Sequence, residues 1–314
     1  MNLKNSQLNK ICHPDNCPLF MQKSLVNTLK IQAEFIKKIR QFFDHQGVIE
    51  VQTPHLLDYP VTDIYIDSIA MQVNKDIGVK SKYLHTSPEL EMKKLLVRGS
   101  GDIYQICQVF RDNEQGSQNF NEFTMLEYYR LGFDIHQLMD DIAALLKNLG
   151  ITHSVTKLSY AQAFSDYADI DILNTDFNAL KNIAKTHGLT TDFDWIEELQ
   201  ILMFTHLIEP KLAEIPLCFI YHYPKQQAAL ARVERQVAHR FELYINGVEI
   251  ANGYDELQNG VAYQAVFLEE INKRQQLSKF TPDINQQFLS ELNNPLPQCS
   301  GVAIGIDRLL KYSL

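Results

Sequence analysis

Apolar residues recur along this chain in two rhythms. Leu25, Leu29, Ala33, Ile36 and Phe43 fall at the three-and-four spacing of a helix, and Gly47 stands where a left-handed residue would end it. "VIEVQTP" predicts a short strand over 48–54, ending at Pro54, which has no N–H to donate. Ser87 and Pro88 read as N-cap and first residue of a helix running to Gly99. "EFTMLEYYR" alternates and is aromatic, as a strand should be. Asp134 opens a helix with Ile135, Leu138, Met139, Ile142, Leu145 and Leu149 on one face and Gly150 at its end. Residues 159–212 read as mostly helical, inserted between sheet segments. "FELYINGVEIANG" then places Asn246-Gly247 between two alternating runs, the strongest short-range hairpin signal. Hairpins and helices without regular βαβ alternation predict an α+β protein on an antiparallel sheet.

The last segment, "GVAIGIDRLLKYSL", puts Gly301, Ala303 and Gly305 at every second position. In a strand these share one nearly bare face while Val302, Ile304 and Ile306 fill the other. Two readings stay open: a tightly packed strand crossing, or a floor beneath a flat ligand. Arg308, in the first turn of the helix that follows, opposes the helix dipole and calls for solvent or an anion.

Composition narrows the class. The 314 residues, 45% hydrophobic and 21% charged, suffice for a sizeable core in one large domain or two modest ones. No run of about 18 apolar residues exists and the N-terminus lacks a signal-peptide core, so a cytoplasmic protein with no membrane partner is expected. Five scattered cysteines fit reduced thiols, and Cys12, His13 and Cys17 lack the further ligands of a zinc site. The net charge of -9, without a Lys/Arg-rich block, argues against gripping a long nucleic acid.

Chemistry concentrates in a few places. In "EFTMLEYYR", Phe123, Met125, Glu127 and Tyr129 share a face, so a carboxylate sits among apolar neighbours and needs a cation. That cation is either an internal Lys or Arg or a bound ammonium, unless the face is exposed. Arg111, at a strand end, is either solvated or set to hold a phosphate in its planar fork. Glu249 and Glu256 flank "IANGYDE" and are either solubilising acids or ligands for Mg²⁺ on phosphate oxygens. Glu89 reads as a dipole-compensating acid or as part of the same pocket.

Taken in order, "FFDHQGVIEVQTP", "FRDNEQ...NEFTMLEYYR" and "GVAIGIDRLL" resemble motifs 1, 2 and 3 of the class II aminoacyl-tRNA synthetases, over about residues 24–314. "TSPELEMKKLL" and "GVEIANGYDEL" further resemble the lysyl branch, including its paralogues that join lysine or (R)-β-lysine to a lysine of elongation factor P. The resemblance implies an antiparallel sheet flanked by helices, in a catalytic domain over 24–314 with its helical insertion near 159–212. It implies an N-terminal extension over 1–23, too short for an anticodon-binding barrel, and hence no tRNA partner. It also implies adenylation of lysine or (R)-β-lysine with ATP and Mg²⁺, elongation factor P as acceptor, and a homodimer through motif 1.

Residue by residue, the resemblance gives Arg111, Asp112, Asn113, Phe120, Phe123, Glu249, Ile250, Gly305 and Arg308 to ATP. Arg111 meets the α-phosphate, Arg308 the γ-phosphate and Phe123 the adenine, with Glu249 and Glu256 as metal candidates. Ser87, Pro88, Glu89, Glu127, Tyr129, Glu256 and Ala303 go to the amino acid, with Glu127 and Tyr129 on its distal ammonium. Motif 2 departs from the family's Arg-x-Glu and His-Asn-Pro-Glu, reading Arg111-Asp112-Asn113 and Asn119-Phe120-Asn121-Glu122, which leaves Asn113 or Glu114 for the adenine. Ala303 replaces a glycine usual in lysyl-tRNA synthetases, and its methyl favours a shifted amine. A truncated synthetase with another acceptor, and a binding module without catalysis, are the rival readings.

Overall fold

The amphipathic stretches settle as helices against a broad sheet in a computed structural model that describes residues 25–73, 78, 80–114 and 120–312. The Cys12, His13 and Cys17 group, the extension over 1–23 and Asn119 lie outside the described residues.

Helix α1 (Leu25–His45) buries Thr28, Phe35, Ile39, Phe42 and Phe43. Its inward stripe is therefore rotated from the expected one: Phe43 is inside and Ile36 half-buried, while Leu25, Leu29 and Ala33 are exposed. The helix is apolar on two sides, and the aromatic side, with more area to bury, takes the core. Phe43 stacks on Tyr104 at 4.5 Å. Strand β1 (Ile49–Glu50) is shorter than predicted. It pairs in parallel with β5 (Ile103–Phe110), and after a last bond from Val51 N–H to Tyr104 O (2.8 Å) the chain leaves the sheet toward Pro54.

A small sheet of β2 (Leu56–Leu57), β3 (Ala70–Val73) and β4 (Lys80–Leu84) follows, then α2 (Glu89–Val97). Ser87 Oγ accepts from the Glu89 N–H at 3.0 Å, the bond expected of a capping hydroxyl, although the helix itself starts one residue later than predicted, after Pro88. Strand β6 (Glu122–Leu131) covers the predicted segment. Helix α3 (Ile135–Asn148) starts on a capping box of Asp134 and Gln137 and buries the predicted face. Strand β7 (Thr156–Ser159) leads into α4 (Tyr160–Ala168), α5 (Phe177–Thr186), α6 (Ile196–Met203), a π-turn over Phe204–Ile208 and α7 (Glu209–Leu212). These pack Tyr160, Phe164, Leu199 and Phe204 against β8 (Cys218–Pro224).

Strands β9 (Val233–Glu234), β10 (Val237–Ile245) and β11 (Val248–Asp255) come next. The β10–β11 turn has Asn246 and Gly247 both at positive φ (48° and 76°), as a type I′ hairpin requires. Helices α8 (Gly260–Gln276) and α9 (Gln286–Glu291), strand β12 (Cys299–Gly305) and helix α10 (Ile306–Lys311) complete the described chain.

Among the described residues the main sheet runs β1-β5-β6-β12-β11-β10-β8-β7, with β9 beside β10. Its interior is antiparallel; the β1–β5 and β7–β8 pairs at its two ends are parallel. One face packs on α1, α3 and α10 through Ile39, Phe43, Leu138, Ile142 and Leu309. With that face dry, the other is left to form a site. Cys107, Cys218 and Cys299 are buried free thiols, and no described helix is long and apolar enough to cross a membrane.

Candidate active site

Strands β6, β12 and β11 lie side by side at the centre of the sheet. Register sets Gly305 beside Met125, Ala303 beside Glu127 and Asn252, and Gly301 beside Tyr129 and Tyr254. Above them opens a cavity of about 800 Å³, walled by residues 59–66, the start of α2, residues 225–230 and α8.

One end is anionic. Glu127 is buried, and its carboxylate accepts from Ser87 Oγ (2.6 Å) and from the Tyr129 hydroxyl (2.7 Å). Fully buried Lys93 lies 2.6 Å from Glu89 and 2.5 Å from Glu256, with the Tyr263 ring 5.3 Å away. Two carboxylates thus share one internal ammonium, and Glu127 feels its charge without touching it. Burial, reinforced by Glu89, lifts Glu127 to about 7, against its hydrogen bonds from Ser87 and Tyr129. Burial lifts Glu256 to about 8 even beside Lys93, whose own ammonium its two carboxylates hold in the charged form. The pocket lacks positive charge, and an incoming ammonium would supply it.

The other end is cationic. Arg111 lies over the Phe123 ring at 5.2 Å and reaches Thr86 O at 3.4 Å, so one face of the ring intended for adenine already carries a guanidinium. Arg308 donates to Glu249 O at 2.8 Å from the first turn of α10, which is tied to β6 by the Thr124 N–H donating to Asp307 (2.7 Å). A bulge in β11 brings Glu249 to this face. Leu243 pairs with Ala251 but Tyr244 with Glu249, leaving Ile250 as the extra residue. Its side chain turns into the core, and Glu249 takes the cavity side in its place. Glu249 is open to solvent at the cavity, where the surrounding protein and then the charge of Glu242 raise its carboxyl, offset by Arg308, Arg240 and Arg111.

The bare strand divides into two parts. A Cβ at Gly301 would overlap the Tyr129 ring and lie 2.7 Å from Glu256 Oε1, so the protein's own binding groups fill that space. At Gly305 the nearest atoms would be Ile250 O at 3.8 Å and Arg308 carbons at 3.9 Å, leaving an open floor.

Of the expected residues, Ser87, Glu89, Arg111, Phe120, Phe123, Glu127, Tyr129, Glu249, Ile250, Glu256, Ala303, Gly305 and Arg308 line this one cavity. Pro88 is buried at the start of α2, behind the lining. Asp112 and Asn113 are exposed, Asp112 bridged to Asp67 and Asn113 at φ 60°, whereas Glu114 reaches the lining. Glu249 and Glu256 do not converge as metal ligands: the six residues between them along β11 hold them roughly 20 Å apart. Glu256 is taken by Lys93, and the carboxylate whose charge Glu249 feels is Glu242, across the hairpin.

Sequence reasoning missed Lys93, Glu242, Asn252, Tyr254 and Glu270. Glu89 and Lys93 stand at i, i+4, a spacing common to exposed ion pairs, which carries no sign of burial. The alternation of "NGYDE" after the hairpin was the signal available for Asn252 and Tyr254. Outside the cavity, His55, His85 and Cys107 each place a ligand atom within 4.8 Å of the others. The two imidazoles are stacked at 4.6 Å and 11°, so their lone pairs lie in near-parallel planes and do not meet at one point.

Residues 17–314 match the model of the family described as tRNA synthetases class II (D, K and N). The chain belongs to that family. Similar curated proteins carry the name elongation factor P–(R)-β-lysine ligase. The one from Vibrio cholerae is 38% identical over 303 residues, 94% of each chain. That from Hamiltonella defensa is 39% identical over 297 residues, 92% of this chain and 91% of the relative. The Proteus mirabilis protein is 40% identical over 302 residues, 93% and 92% of the two chains. The match covers both the acidic and the arginine ends of the cavity.

Proposed function

We propose that the chain is an ATP-dependent ligase that activates (R)-β-lysine or lysine as an adenylate and transfers it to a lysine of elongation factor P. The observation that carries this reading is the charge imbalance: buried Glu127 and Glu256 and half-buried Glu89 gathered at one end with one internal ammonium, Lys93, beside two arginines over an open strand. A diamino acid supplies the missing cations, and a triphosphate suits the arginines. The names of the relatives support the acceptor and the substrate.

In this reading Glu127 and Tyr129 hold the distal ammonium, while Glu89 and Glu256, spaced by Lys93, take the amine near the carboxylate. That carboxylate is then aimed at the α-phosphate, where Arg111 neutralises the charge that develops and Arg308 holds the terminal phosphate. Positioning and fixed charge do most of the work. Glu249 and Glu242, both oxygen donors, would hold Mg²⁺, which supplies charge neutralisation at the phosphates. Ala303, beside Glu127, sets the room left for the amine.

A homodimer is part of the proposal. Leu25, Leu29 and Ala33 form an exposed apolar stripe on α1, with exposed Ile49 next in the chain, in the segment that resembles motif 1.

The test is pyrophosphate exchange with each lysine isomer, followed by transfer of labelled amino acid to elongation factor P and, in parallel, to tRNA. Exchange with transfer to the protein supports the ligase. Exchange with charging of tRNA supports a truncated synthetase. Lysine binding without exchange supports a non-catalytic module.

A further inference from the structure

With the amino acid and the nucleotide assigned to two ends of the cavity, a third wall is left without a role. It is built from the 60–66 turn, α6, the segment around Val233, and α8. Tyr65, Ile201 and Val233, from three separate segments, are 51%, 43% and 43% exposed and all line the cavity, which gives its mouth an apolar rim. Inside that rim Glu270 accepts from Thr62 Oγ1 at 2.5 Å. The other groups whose charge it feels are Asp63, Glu89 and Glu269, all acidic. Both cations one turn along α8 are engaged elsewhere: Lys273 is held by Glu197 and Glu269 near Trp195, and Arg274 by Asp67 and the carbonyls of Asp63 and Phe280. Glu270 is thus a carboxylate among like charges, within electrostatic reach of the amino-acid end and close to an apolar opening.

An apolar rim around an acidic interior suits a protein segment that presents one lysine. The lysine arrives as an ammonium and is not nucleophilic until it loses a proton. We propose that this wall is the channel for the acceptor lysine, with Tyr65, Ile201 and Val233 seating the polypeptide around it and Glu270 receiving the ammonium and taking its first proton. This rests on the ligase reading. The neutral amine then attacks the acyl carbon, a C–N bond forms and the acyl–phosphate C–O bond breaks. The second proton, lost as the nitrogen becomes an amide, leaves on the phosphate of AMP. Burial and the neighbouring acids raise Glu270 to about 8, a basicity suited to a proton acceptor near neutral pH.

The experiment compares wild type, Glu270→Gln and a rim variant (Tyr65→Ser, Ile201→Ser, Val233→Ser). It measures pyrophosphate exchange and, separately, single-turnover transfer from preformed adenylate to elongation factor P across pH, with hydroxylamine as a small, already neutral nucleophile. Glu270→Gln should keep exchange within about twofold, slow protein transfer by about 10²-fold or more, flatten its pH profile and leave hydroxylamine transfer unchanged. The rim variant should raise KM for the acceptor protein about tenfold or more at unchanged kcat, and spare hydroxylamine transfer. Transfer by Glu270→Gln at the wild-type rate and pH profile overturns the role of Glu270, as does equal loss of exchange and hydroxylamine transfer. An unchanged KM in the rim variant overturns the channel. Absence of exchange in wild type defeats the ligase reading itself, a result distinct from these.

Discussion

The Tyr129 ring occupies the space that a side chain at Gly301 would need, and from there its hydroxyl donates to Glu127 at 2.7 Å. The glycine is required because the neighbouring strand leans a binding residue across it. Gly301→Ala should therefore displace Tyr129 and Glu256 together. We expect lysine Kd to rise about tenfold or more while ATP affinity changes little, read by isothermal titration with each ligand alone.

Glu127→Gln keeps the shape of the carboxylate but removes its charge. Lysine capture should weaken by about 2–3 kcal/mol, roughly the worth of a charged hydrogen bond, with ATP binding almost unaltered. Equal loss of both would contradict its assignment to the ammonium.

The acid-base behaviour of this end gives two linked outcomes. Glu127 and Glu256 reach about 7 and about 8 in the fold, above ordinary carboxyl values, so the protonated form is the better-tolerated one in the unliganded protein. Their contribution to stability is therefore complete below the ordinary carboxyl range, declines as pH rises above it and is gone once pH passes the folded values of about 7 and about 8. An ammonium ligand needs the carboxylates ionised, so its affinity should fall as pH drops below about 7. Thermal melts should show these groups drawing the Tm of the free protein down from about pH 5 to about pH 8, and lysine raising Tm more at the upper end.

Lys93 is fully buried between two carboxylates. Lys93→Met leaves that charge uncompensated and should cost about 3–5 kcal/mol of stability in denaturant unfolding. Added lysine should recover part of the loss, because its ammonium replaces the missing one.

Ala303→Gly removes one methyl from the centre of the floor. It should shift preference from (R)-β-lysine toward lysine by about tenfold in kcat/KM for adenylation, the scale of a methyl in a binding pocket.

Much of this was legible because local rules and the fold agree. The hairpin at Asn246-Gly247, the capping box of α3 and the alternation of β6 each follow from short-range chemistry. What escaped needed long-range contacts. Helix α1 has two apolar sides, and only the sheet decides which is buried. Lys93 pairs with Glu256 from 163 residues away, so its burial has no local signature. The bulge at Ile250, which exchanges the side chain facing the cavity, also leaves no mark in the alternation.

The central claim is that one cavity joins a diamino acid to a protein lysine by way of an adenylate. Its most direct test is the intact mass of elongation factor P after incubation with this enzyme, ATP, Mg²⁺ and (R)-β-lysine or lysine. The account predicts a gain of one lysyl residue at a single lysine, abolished by Arg111→Ala. An unchanged mass while pyrophosphate is released and tRNA becomes charged would contradict it.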